Sequence, residues 1–327
     1  MPKVAIVILN WHGGADTAAC IESLEHLKYT NFNVIVVDNA STDNSLELIT
    51  NAIHKQSKSD SAILSQVIDP DTIGSKTQPS CVDAKFNLIK APINGGFAYG
   101  NNLGIKAAMS DTDFDYVWIL NNDVVVDPDA LTELVNKAEL SSSPMVGSVL
   151  VYFDDRQTIQ CIGGVRFNIF KAVGNQVGHG LTWTKGSSLP EPDKLSYIAG
   201  ASMLVNMATI RRFGIMDERY FLYYEEIDWA LQLAKAGKMV VATKSIVFHK
   251  EGASIGTSSR SKRSLLSYYY LARNLVIFYR KNYPFLLIFA VSRNIREALR
   301  EVNFGDLSIC RTILKATWHG LLGKVGK

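Results

Sequence analysis

Unbroken apolar runs that end abruptly in polar residues are the feature that most limits how this chain can fold. The first is Val4–Leu9, six apolar residues followed at once by Asn10. A strand with one face in water alternates apolar and polar side chains, so an unbroken run predicts a strand that is buried on both faces. Val34–Val37 and Tyr116–Leu120 repeat the pattern, and Phe86–Ile89 is predicted as a further strand.

Segments with helical periodicity separate these runs. Thr17–Leu27 has apolar residues at helical spacing, and capping residues at 41–43 precede a second helix. Further helices are predicted from about Tyr99 to Met109 and from Pro128 onward, where proline suits a first turn. Alternation of buried strands with helices predicts an α/β fold with a mostly parallel sheet. Ligands of such sheets bind beyond the carboxyl ends of the strands.

The rest of the chain divides into segments of different character. Residues 54–85 are polar and are predicted to be an insertion or surface loop, and residues 147–199 are predicted to hold two or more strands. The remaining predictions are a helix at Ile227–Ala236, strands at Met239–Thr243 and Ile246–His249, a linker at Glu251–Ser261, and helices at Leu265–Tyr279 and Pro284–Leu299.

The net charge of +3 hides two regions of opposite sign. Residues 256–327 hold 13 Lys and Arg against three acids, whereas residues 1–255 hold 21 Lys and Arg against 28 acids. We therefore predict a domain at 1–255 and a basic, aromatic-rich helical tail at 256–327. The tail fits either an anionic membrane surface or the acidic body itself. No uncharged run reaches membrane-spanning length, and no nucleic-acid-binding motif is recognised.

Cysteine usage indicates the compartment. The four cysteines lie far apart without a C-x-x-C pair, which argues against a zinc site and a disulfide framework. The apolar run at the N-terminus is too short for a signal peptide. The sequence thus predicts a reduced, cytoplasmic compartment, with peripheral attachment to the inner face of the cell membrane if the tail binds lipid.

Carboxylates and one histidine follow several predicted strands. They are Asp38, Asp123, the cluster Glu225-Glu226-Ile227-Asp228, and His249. Oxygen and nitrogen ligands of this kind suit Mg²⁺ or Mn²⁺. For any single aspartate, an ordinary turn or helix cap explains the residue as well. Their shared placement at strand ends favours a binding site.

Four segments, in this order and spacing, resemble the family 2 inverting glycosyltransferases, and most of all the bacterial rhamnosyltransferase-like branch. They are residues 36–43 (VVDNASTD), 94–104 (NGGFAYGNNLG), 120–123 (LNND) and 221–228 (FLYYEEID). The resemblance covers roughly residues 3–252, and Tyr268-Tyr269-Tyr270-Leu271-Ala272-Arg273-Asn274 of the tail is similar to that branch too. It implies a glycosyltransferase-A fold, a Rossmann-like sheet flanked by helices, with a C-terminal helical appendage.

The resemblance also implies a donor site. Asp38 matches the aspartate that pairs with a pyrimidine N3–H, and Asn10 and Trp11 lie where the family approaches the base. Asn94, Gly95 and Gly96 match the loop that lines the nucleotide and the sugar, although a plain turn would also use these glycines. Asn122 is expected to belong to the same donor site.

A metal site is implied in the same way. Asn121-Asn122-Asp123 stands where the family has its Asp-x-Asp motif, so Asn121 replaces the first aspartate and Asp123 is the main carboxylate. His249 matches a histidine that completes the metal shell in related enzymes. A divalent cation, Mg²⁺ or Mn²⁺, is therefore expected to neutralise a diphosphate leaving group.

Glu226 matches the catalytic base, the second residue of an acidic pair that is commonly Glu-Asp. Glutamate replaces the commoner aspartate here, while Glu225 and Asp228 also fit acids that favour a helix N-terminus. The expected reaction moves a sugar, with rhamnose from dTDP-rhamnose preferred, to a hydroxyl of a glycan or lipid-linked acceptor in bacterial cell-surface polysaccharide synthesis. The alternatives are a UDP-sugar-dependent transferase of another hexose and a catalytically inactive sugar-nucleotide-binding module. No P-loop or G-x-G-x-x-G follows the first strand, which disfavours a nucleotidyltransferase or dehydrogenase.

Overall fold

The first apolar run lies inside a large mixed sheet. In a computed structural model of the chain, which describes residues 1–56, 65–81, 83–251 and 263–326, β1 (Val4–Asn10) is flanked by β2 (Phe32–Asp38) and β5 (Tyr116–Asn121). Both neighbours run parallel to β1. Alternate residues of β1 face opposite sides, and both sides are buried: Ile6 packs in one core and Val7 in the other. The unbroken run is explained by burial on two faces.

The other strands extend this sheet to both edges. The order across it is β3-β4-β2-β1-β5-β12-β7-β13-β6, with β8 paired to β7, and a small second sheet has the order β10-β9-β11. The strand bounds are β3 Ser65–Ile68, β4 Phe86–Lys90, β6 Val124–Val126, β7 Met145–Tyr152, β8 Ile159–Ile162, β9 Gly164–Asn168, β10 Val173–Gln176, β11 Tyr197–Ile198, β12 Ser202–Asn206 and β13 Val240–His249.

Helices cover both faces of the large sheet. α1, α2 and α4 contribute to one core, and α3, α5 and α6 contribute to the other. The remaining three helices pack on one another in the C-terminal region. The helix bounds are α1 Gly14–Leu24, α2 Ser45–Gln56, α3 Phe97–Met109, α4 Ala130–Ser141, α5 Met207–Phe213, α6 Glu225–Leu233, α7 Leu265–Asn282, α8 Leu287–Asn303 and α9 Leu307–Leu321.

The predicted α/β sheet is confirmed, and several local predictions were wrong. The segment 54–85 was expected to be an insertion or loop, but it contains β3, which adds to β4 as a parallel edge strand. β13 is one strand with an irregularity between Ala242 and Ile246, whereas two strands were expected. α9 was not predicted, and α6 begins at Glu225 instead of Ile227.

The C-terminal helices pack against the body through a mixed aromatic and aliphatic cluster. Leu275, Phe278 and Tyr279 of α7 are buried with Tyr220 and Ile227 of the body. Lys281 of α7 also pairs with two body carboxylates. The predicted boundary between residues 255 and 256 and nearly all of the predicted linker 251–261 lie outside the described residues, so the two-domain division stays a prediction. None of the helices in the described ranges is long and apolar enough to cross a membrane.

Candidate active site

A groove of three adjoining cavities crosses the carboxyl ends of β1, β2, β4 and β5. The first, of about 670 Å³, is lined by Trp11, His12 and Asn94, among others. A small second cavity of about 120 Å³ shares Trp11, Asn94 and Phe221 with the first. It shares Phe97 and Leu222 with a third cavity of about 470 Å³. We call the first the donor cavity and the third the acceptor cavity, after the roles proposed below.

The donor cavity rests on a buried polar network. The Nδ2 of Asn10 donates to Asp38 Oδ1 at 2.7 Å, and the Ser41 N–H donates to Asp38 Oδ2 at 3.0 Å. The Thr17 hydroxyl donates to Asn10 Oδ1, and the Asn122 amide donates to Thr17 Oγ1 at 3.0 Å. Asn10, Asp38 and Asn122 thus belong to one hydrogen-bonded network, and none of the three is among the residues that line the donor cavity. Their expected contact with the nucleotide stays a prediction.

Trp11 lines the donor cavity together with His12, a residue that the sequence did not single out. The rings of Trp11 and His12 stack with centroids 4.5 Å apart. The backbone N–H of Thr42 donates to His12 Nε2 at 3.1 Å, which fixes the imidazole as an acceptor at that nitrogen. His12 and Ala40 both have positive φ, 52° and 58°. Such strain in residues other than glycine clusters at functional sites.

The loop at Asn94, Gly95 and Gly96 contributes to the walls of both the donor cavity and the small cavity. Asn39 donates from Nδ2 to Asn94 Oδ1 and to the Gly96 carbonyl, each at 3.1 Å. Gly96 has φ +92°, and a Cβ there would lie 2.1 Å from the carbonyl oxygen of Phe221. Glycine is therefore required on two counts, conformation and space. This close approach ties the loop to the segment that precedes the acidic pair.

Asp123 and His249 meet where β6 pairs with β13. Val124 lies opposite His249 in that pairing, and His249 Nε2 is 3.2 Å from Asp123 Oδ1, with both side chains buried. His249 Nδ1 lies 2.7 Å from Gln160 Oε1. Because an amide oxygen only accepts, Nδ1 carries the proton and Nε2 directs its lone pair toward the carboxylate.

This donor set fits a divalent cation. A nitrogen lone pair that faces a carboxylate oxygen calls for a proton or a cation between them, and Mn²⁺ or Mg²⁺ accepts such ligands. Asn121, the third expected ligand, is placed by the structure on the wall of the acceptor cavity. Asp123 and His249 are a pair. Within the described ranges, no group of three or more His, Cys, Asp or Glu side chains is arranged to hold a metal ion.

Glu225 and Glu226 open α6 at the wall of the acceptor cavity. Burial raises the pKa of Glu225, and the neighbouring charge of Glu226 raises it further. Burial also raises the pKa of Glu226, although the Gly200 N–H and the nearby His249 imidazole lower it in part. The Gly200 N–H donates to Glu226 Oε1 at 2.7 Å, and a Cβ at Gly200 would lie 1.9 Å from that oxygen. Gly200, which the sequence reasoning missed, therefore fixes the carboxylate.

Two strained tyrosines precede the acidic pair. Tyr223 and Tyr224 have φ of 69° and 74°, which is unfavourable for residues with a bulky side chain. The amide of Asn274, on α7, donates to the carbonyl oxygens of Leu222 at 2.7 Å and of Tyr223 at 3.1 Å. The Arg273 Nε donates in turn to Asn274 Oδ1 at 3.0 Å. The tail therefore holds the backbone turn from which the acidic pair projects.

Asp228, the third acid of the cluster, faces away from this pair. Its carboxylate accepts from Lys281 Nζ at 2.6 Å and from Asn282 Nδ2 at 2.7 Å. Both partners lie on α7, and Asp228 is buried. Its role in this structure is to join α6 to the tail, with the sign of charge that suits a helix N-terminus.

The tail lines every part of the groove. Gly326 borders the donor cavity, Leu266 and Tyr270 border the small cavity, and Arg263, Leu271 and Arg293 border the acceptor cavity. Sequence reasoning described the tail as an appendage and missed these residues. One signal was present: the adjacent polar pair Arg273-Asn274 inside an apolar helix, both fully buried here, indicates side chains with internal partners.

The family model for glycosyl transferase family 2 matches residues 4–64 and 74–176. The chain belongs to glycosyl transferase family 2. The matched residues include Trp11, His12 and most of the other residues that line the donor cavity, the 94–96 loop and Asn121-Asn122-Asp123. Phe221, Glu226, His249 and the tail lie beyond them. The resemblance to this family that the four motifs predicted is confirmed.

Curated relatives of this family 2 chain include two rhamnosyltransferases. Rhamnosyltransferase WbbL of Escherichia coli is 26% identical over 147 residues, 43% of this chain and 55% of that protein. The N-acetylglucosaminyl-diphospho-decaprenol L-rhamnosyltransferase of Mycobacterium tuberculosis is 26% identical over 157 residues, 45% of this chain and 50% of that protein. The chain thus spans about half the length of the curated relatives that it matches.

Solved structures share the fold of this family 2 chain. Mannosyltransferase PcManGT from Pyrobaculum calidifontis, in complex with GDP-Man and Mn²⁺, has a TM-score of 0.55 at 14% identity, over 99% of this chain and 88% of that one. TarS 1-349 of S. aureus, in complex with UDP-GlcNAc, has a TM-score of 0.56 at 12% identity, over 98% and 81%. The expected glycosyltransferase-A fold is confirmed, and the C-terminal helices are present.

Proposed function

We propose that this protein transfers a sugar from a nucleotide-diphosphate donor to a hydroxyl acceptor with inversion, and that Glu226 is the catalytic base. The observation that carries the proposal is the position of Glu226. Its carboxylate borders the acceptor cavity, is held by the Gly200 N–H, and has a pKa raised by burial toward neutrality. A base with such a pKa takes a hydroxyl proton near neutral pH more effectively than an ordinary glutamate.

The reaction needs one proton acceptor and one leaving group. Glu226 takes the proton of the acceptor hydroxyl, the acceptor oxygen forms a bond to the anomeric carbon, and the bond from that carbon to the diphosphate oxygen breaks. The electron pair leaves with the nucleotide diphosphate. Trp11 and His12 would lie beside the nucleotide, and the loop at Asn94 would contact the sugar between the two larger cavities.

The cofactor in this proposal is a divalent cation, Mg²⁺ or Mn²⁺, held by Asp123 and His249. Their facing oxygen and nitrogen atoms support it. PcManGT, which shares the fold, was solved with Mn²⁺. When bound, the cation would offset the negative charge of the diphosphate leaving group.

The preferred donor is dTDP-rhamnose, and the preferred acceptor is a sugar linked to a lipid diphosphate, in bacterial cell-surface polysaccharide synthesis. Two relatives named as rhamnosyltransferases support the sugar, and the name of the mycobacterial relative supports the acceptor. The alternative donor is a UDP-sugar, which TarS binds in a structure of the same fold.

The decisive experiment compares Glu226→Gln with the unaltered chain. We expect sugar transfer to fall at least about a thousandfold, the upper part of the range for a general base. The shift of Tm on addition of dTDP-rhamnose and Mn²⁺ should persist, because donor binding does not require the base. Glu47→Gln, at an exposed position on α2, is the matched control and should leave transfer unchanged. Near-normal turnover by Glu226→Gln would reject the proposed base.

We further propose that α8 and α9 bind an anionic membrane surface on the cytoplasmic side. Each helix carries a row of exposed apolar side chains at helical spacing: Phe285, Ile288, Ile295, Leu299 and Val302 along α8 and the turn before it, and Leu307, Leu314, Trp318 and Leu321 along α9. Exposed cations that include Arg311 and Lys315 lie on the same helices. Apolar rows flanked by basic residues are typical of helices that lie in a bilayer interface.

Sedimentation with vesicles tests this surface. We expect the protein to sediment with vesicles that contain phosphatidylglycerol, and much less with neutral vesicles or at high salt. The double variant Phe285→Ser, Trp318→Ser should lose this binding, whereas Leu140→Ser, which removes an exposed leucine from α4 of the body, should not. A concentration-dependent dimer that the double variant abolishes, without vesicle binding, would assign the surface to a second copy instead.

A further inference from the structure

The acceptor cavity is lined by both acidic and basic side chains. Glu225 and Glu226 of α6 line it together with two guanidinium groups of the C-terminal region, from Arg263 and Arg293. Aromatic side chains that include Tyr197 line the same cavity. A neutral sugar acceptor requires a base for its hydroxyl and an aromatic surface for its ring. It offers no negative charge for two cations to bind.

The arginines are not used to neutralise the acids. Neither Arg263 nor Arg293 forms an ion pair with a carboxylate anywhere in the ranges that the structure describes. Burial raises the pKa of Tyr224 to about 12, while the positive charges of Arg293 and Arg263 act on the same phenol in the opposite direction. Both guanidinium groups therefore lie near enough for their charge to act on Tyr224, and all three residues line the same cavity.

We propose that Arg263 and Arg293 bind the phosphate group that links the acceptor sugar to its lipid carrier. The proposal rests on the function proposed above and extends it from the reacting hydroxyl to the anionic part of the acceptor. Guanidinium groups present paired N–H donors that match phosphate oxygens, so two arginines suit a diphosphate. The sugar would lie against the tyrosines with its hydroxyl at Glu226.

The position of the arginines in the groove favours the acceptor over the donor. The donor cavity lies at the opposite end, and the small cavity at Phe221 and Leu222 separates it from the arginines. A lipid-linked acceptor requires a site for its phosphate and a surface for its lipid, and α8 offers both. Arg293 lines the cavity, whereas Ile288 and Leu299 of the same helix are exposed. A phosphate at Arg293 would therefore lie beside the helix that we assign to the membrane.

The test compares two acceptors that differ only in the phosphate. One is N-acetylglucosaminyl diphosphate on a short alkyl chain, soluble without vesicles, and the other is the neutral alkyl glycoside of the same sugar. We expect Arg293→Gln to raise KM for the diphosphate acceptor about tenfold to a hundredfold, the loss typical of hydrogen bonds to a charged group. KM for the neutral acceptor and for the donor should change less than twofold. Arg293→Lys should recover part of the loss, because it restores the charge without the paired donors.

The control is Arg296→Gln, an exposed arginine on α8 that does not line the cavity, and it should behave as the unaltered chain. An equal loss on both acceptors would overturn the proposal and make Arg293 a structural residue. A raised donor KM would assign the arginines to the donor diphosphate, and an effect seen only with vesicles would assign them to phospholipid headgroups.

Binding of the diphosphate acceptor, measured by calorimetry without donor, separates this inference from the proposed function. If no donor supports transfer but Arg293→Gln still weakens acceptor binding, the phosphate site stands and the transferase proposal fails. If the unaltered chain transfers sugar and Arg293→Gln binds the diphosphate acceptor normally, the phosphate site is rejected alone.

Discussion

The two ends of the groove are built in different ways. The donor cavity rests on Asn10 and Asp38, whose side chains follow neighbouring strands and satisfy one another in a buried network. The acceptor cavity rests on a turn with the left-handed Tyr223 and Tyr224. Asn274, on a helix about fifty residues away in sequence, holds this turn through the carbonyl oxygens of Leu222 and Tyr223. The polar network beneath the donor cavity is thus a product of the sheet, whereas the turn at the acceptor cavity is a joint product of body and tail.

In the function that we propose, this contrast separates donor binding from chemistry within one groove. A strand-end network that is fully hydrogen-bonded gives a rigid surface for a common nucleotide. A strained turn keeps its conformation only while its surroundings impose it. We therefore expect damage at the acceptor end to reduce turnover with little effect on donor binding, and damage at the donor end to do the reverse.

After Glu226→Gln itself, Gly200→Ala should give the largest effect. The new Cβ would meet Glu226 Oε1 at 1.9 Å and displace the carboxylate, and a misplacement of about 1 Å costs on the order of a hundredfold in rate. We expect kcat to fall by that factor with donor KM within twofold. Steady-state kinetics with both substrates measure it. Adding Gly200→Ala to Glu226→Gln should cost nothing further; an additive loss would show that Gly200 acts by another route.

Asn274→Leu should give the next largest effect. It keeps the number and branching of the side-chain heavy atoms but leaves the carbonyl oxygens of Leu222 and Tyr223 without their donor. We expect kcat/KM for the acceptor to fall about thirtyfold and the free energy of unfolding to drop by about 1–3 kcal/mol, the cost of unsatisfied buried groups. Urea unfolding and kinetics measure the two.

The matched control for Asn274→Leu is Asn294→Leu. Asn294 is buried on α8 and donates to Ala272 and Thr317 within the tail. A similar loss of stability without the loss in acceptor kcat/KM is expected. Equal kinetic losses in both variants would mean that the turn responds to tail stability in general, and the specific role of Asn274 would be rejected.

Asp38→Ala tests the donor end of the groove. It removes the acceptors of the Asn10 amide and the Ser41 N–H, so the wall behind Trp11 loosens. We expect donor affinity to fall about tenfold, of the order of one charged hydrogen bond, while acceptor KM stays within twofold. Titration with the donor nucleotide checks the first value. A comparable change in acceptor KM would break the division between the two ends.

The pH dependence should be the smallest effect and should have opposite signs for activity and stability. A carboxyl group whose folded-state pKa is raised holds its proton longer in the native state, so stability falls as pH rises from the ordinary glutamate pKa to the raised one. Activity rises over the same window because the base must be ionised. Thermal melts and pH-rate profiles should show both, and Glu225→Gln should flatten the stability slope. A stability that rises through this window would contradict burial as the cause.

The difference between the two ends of the groove also explains which features could be predicted from the sequence. β1, β2 and β5 and the residues at their ends were predictable, because burial on both faces leaves an unbroken apolar run and the polar residue after it marks the sheet edge. Glu226 was predicted from the family pattern. β3 was missed because a four-residue edge strand with partly exposed side chains has no clear period.

Other features depend on contacts between distant segments. Gly200 matters only because Glu226 folds against its N–H, and Gln160 matters only because it orients His249. From the sequence, the arginines of the acceptor cavity could be predicted only as part of a basic tail. Nothing in the local sequence distinguishes Arg293 from its exposed neighbour Arg296. The charge asymmetry located the region, but only the packing of α7 to α9 shows that it forms a wall of the site.

The hold of Asn274 on the turn at Tyr223 has a consequence for the order in which the protein becomes competent. During synthesis, the strands of the donor cavity leave the ribosome well before α7 does. The nascent body is therefore expected to form the strand-end network beneath the donor cavity before the turn that carries Glu226 is held in place. The arrangement proposed for catalysis is complete only once the C-terminal helices have docked.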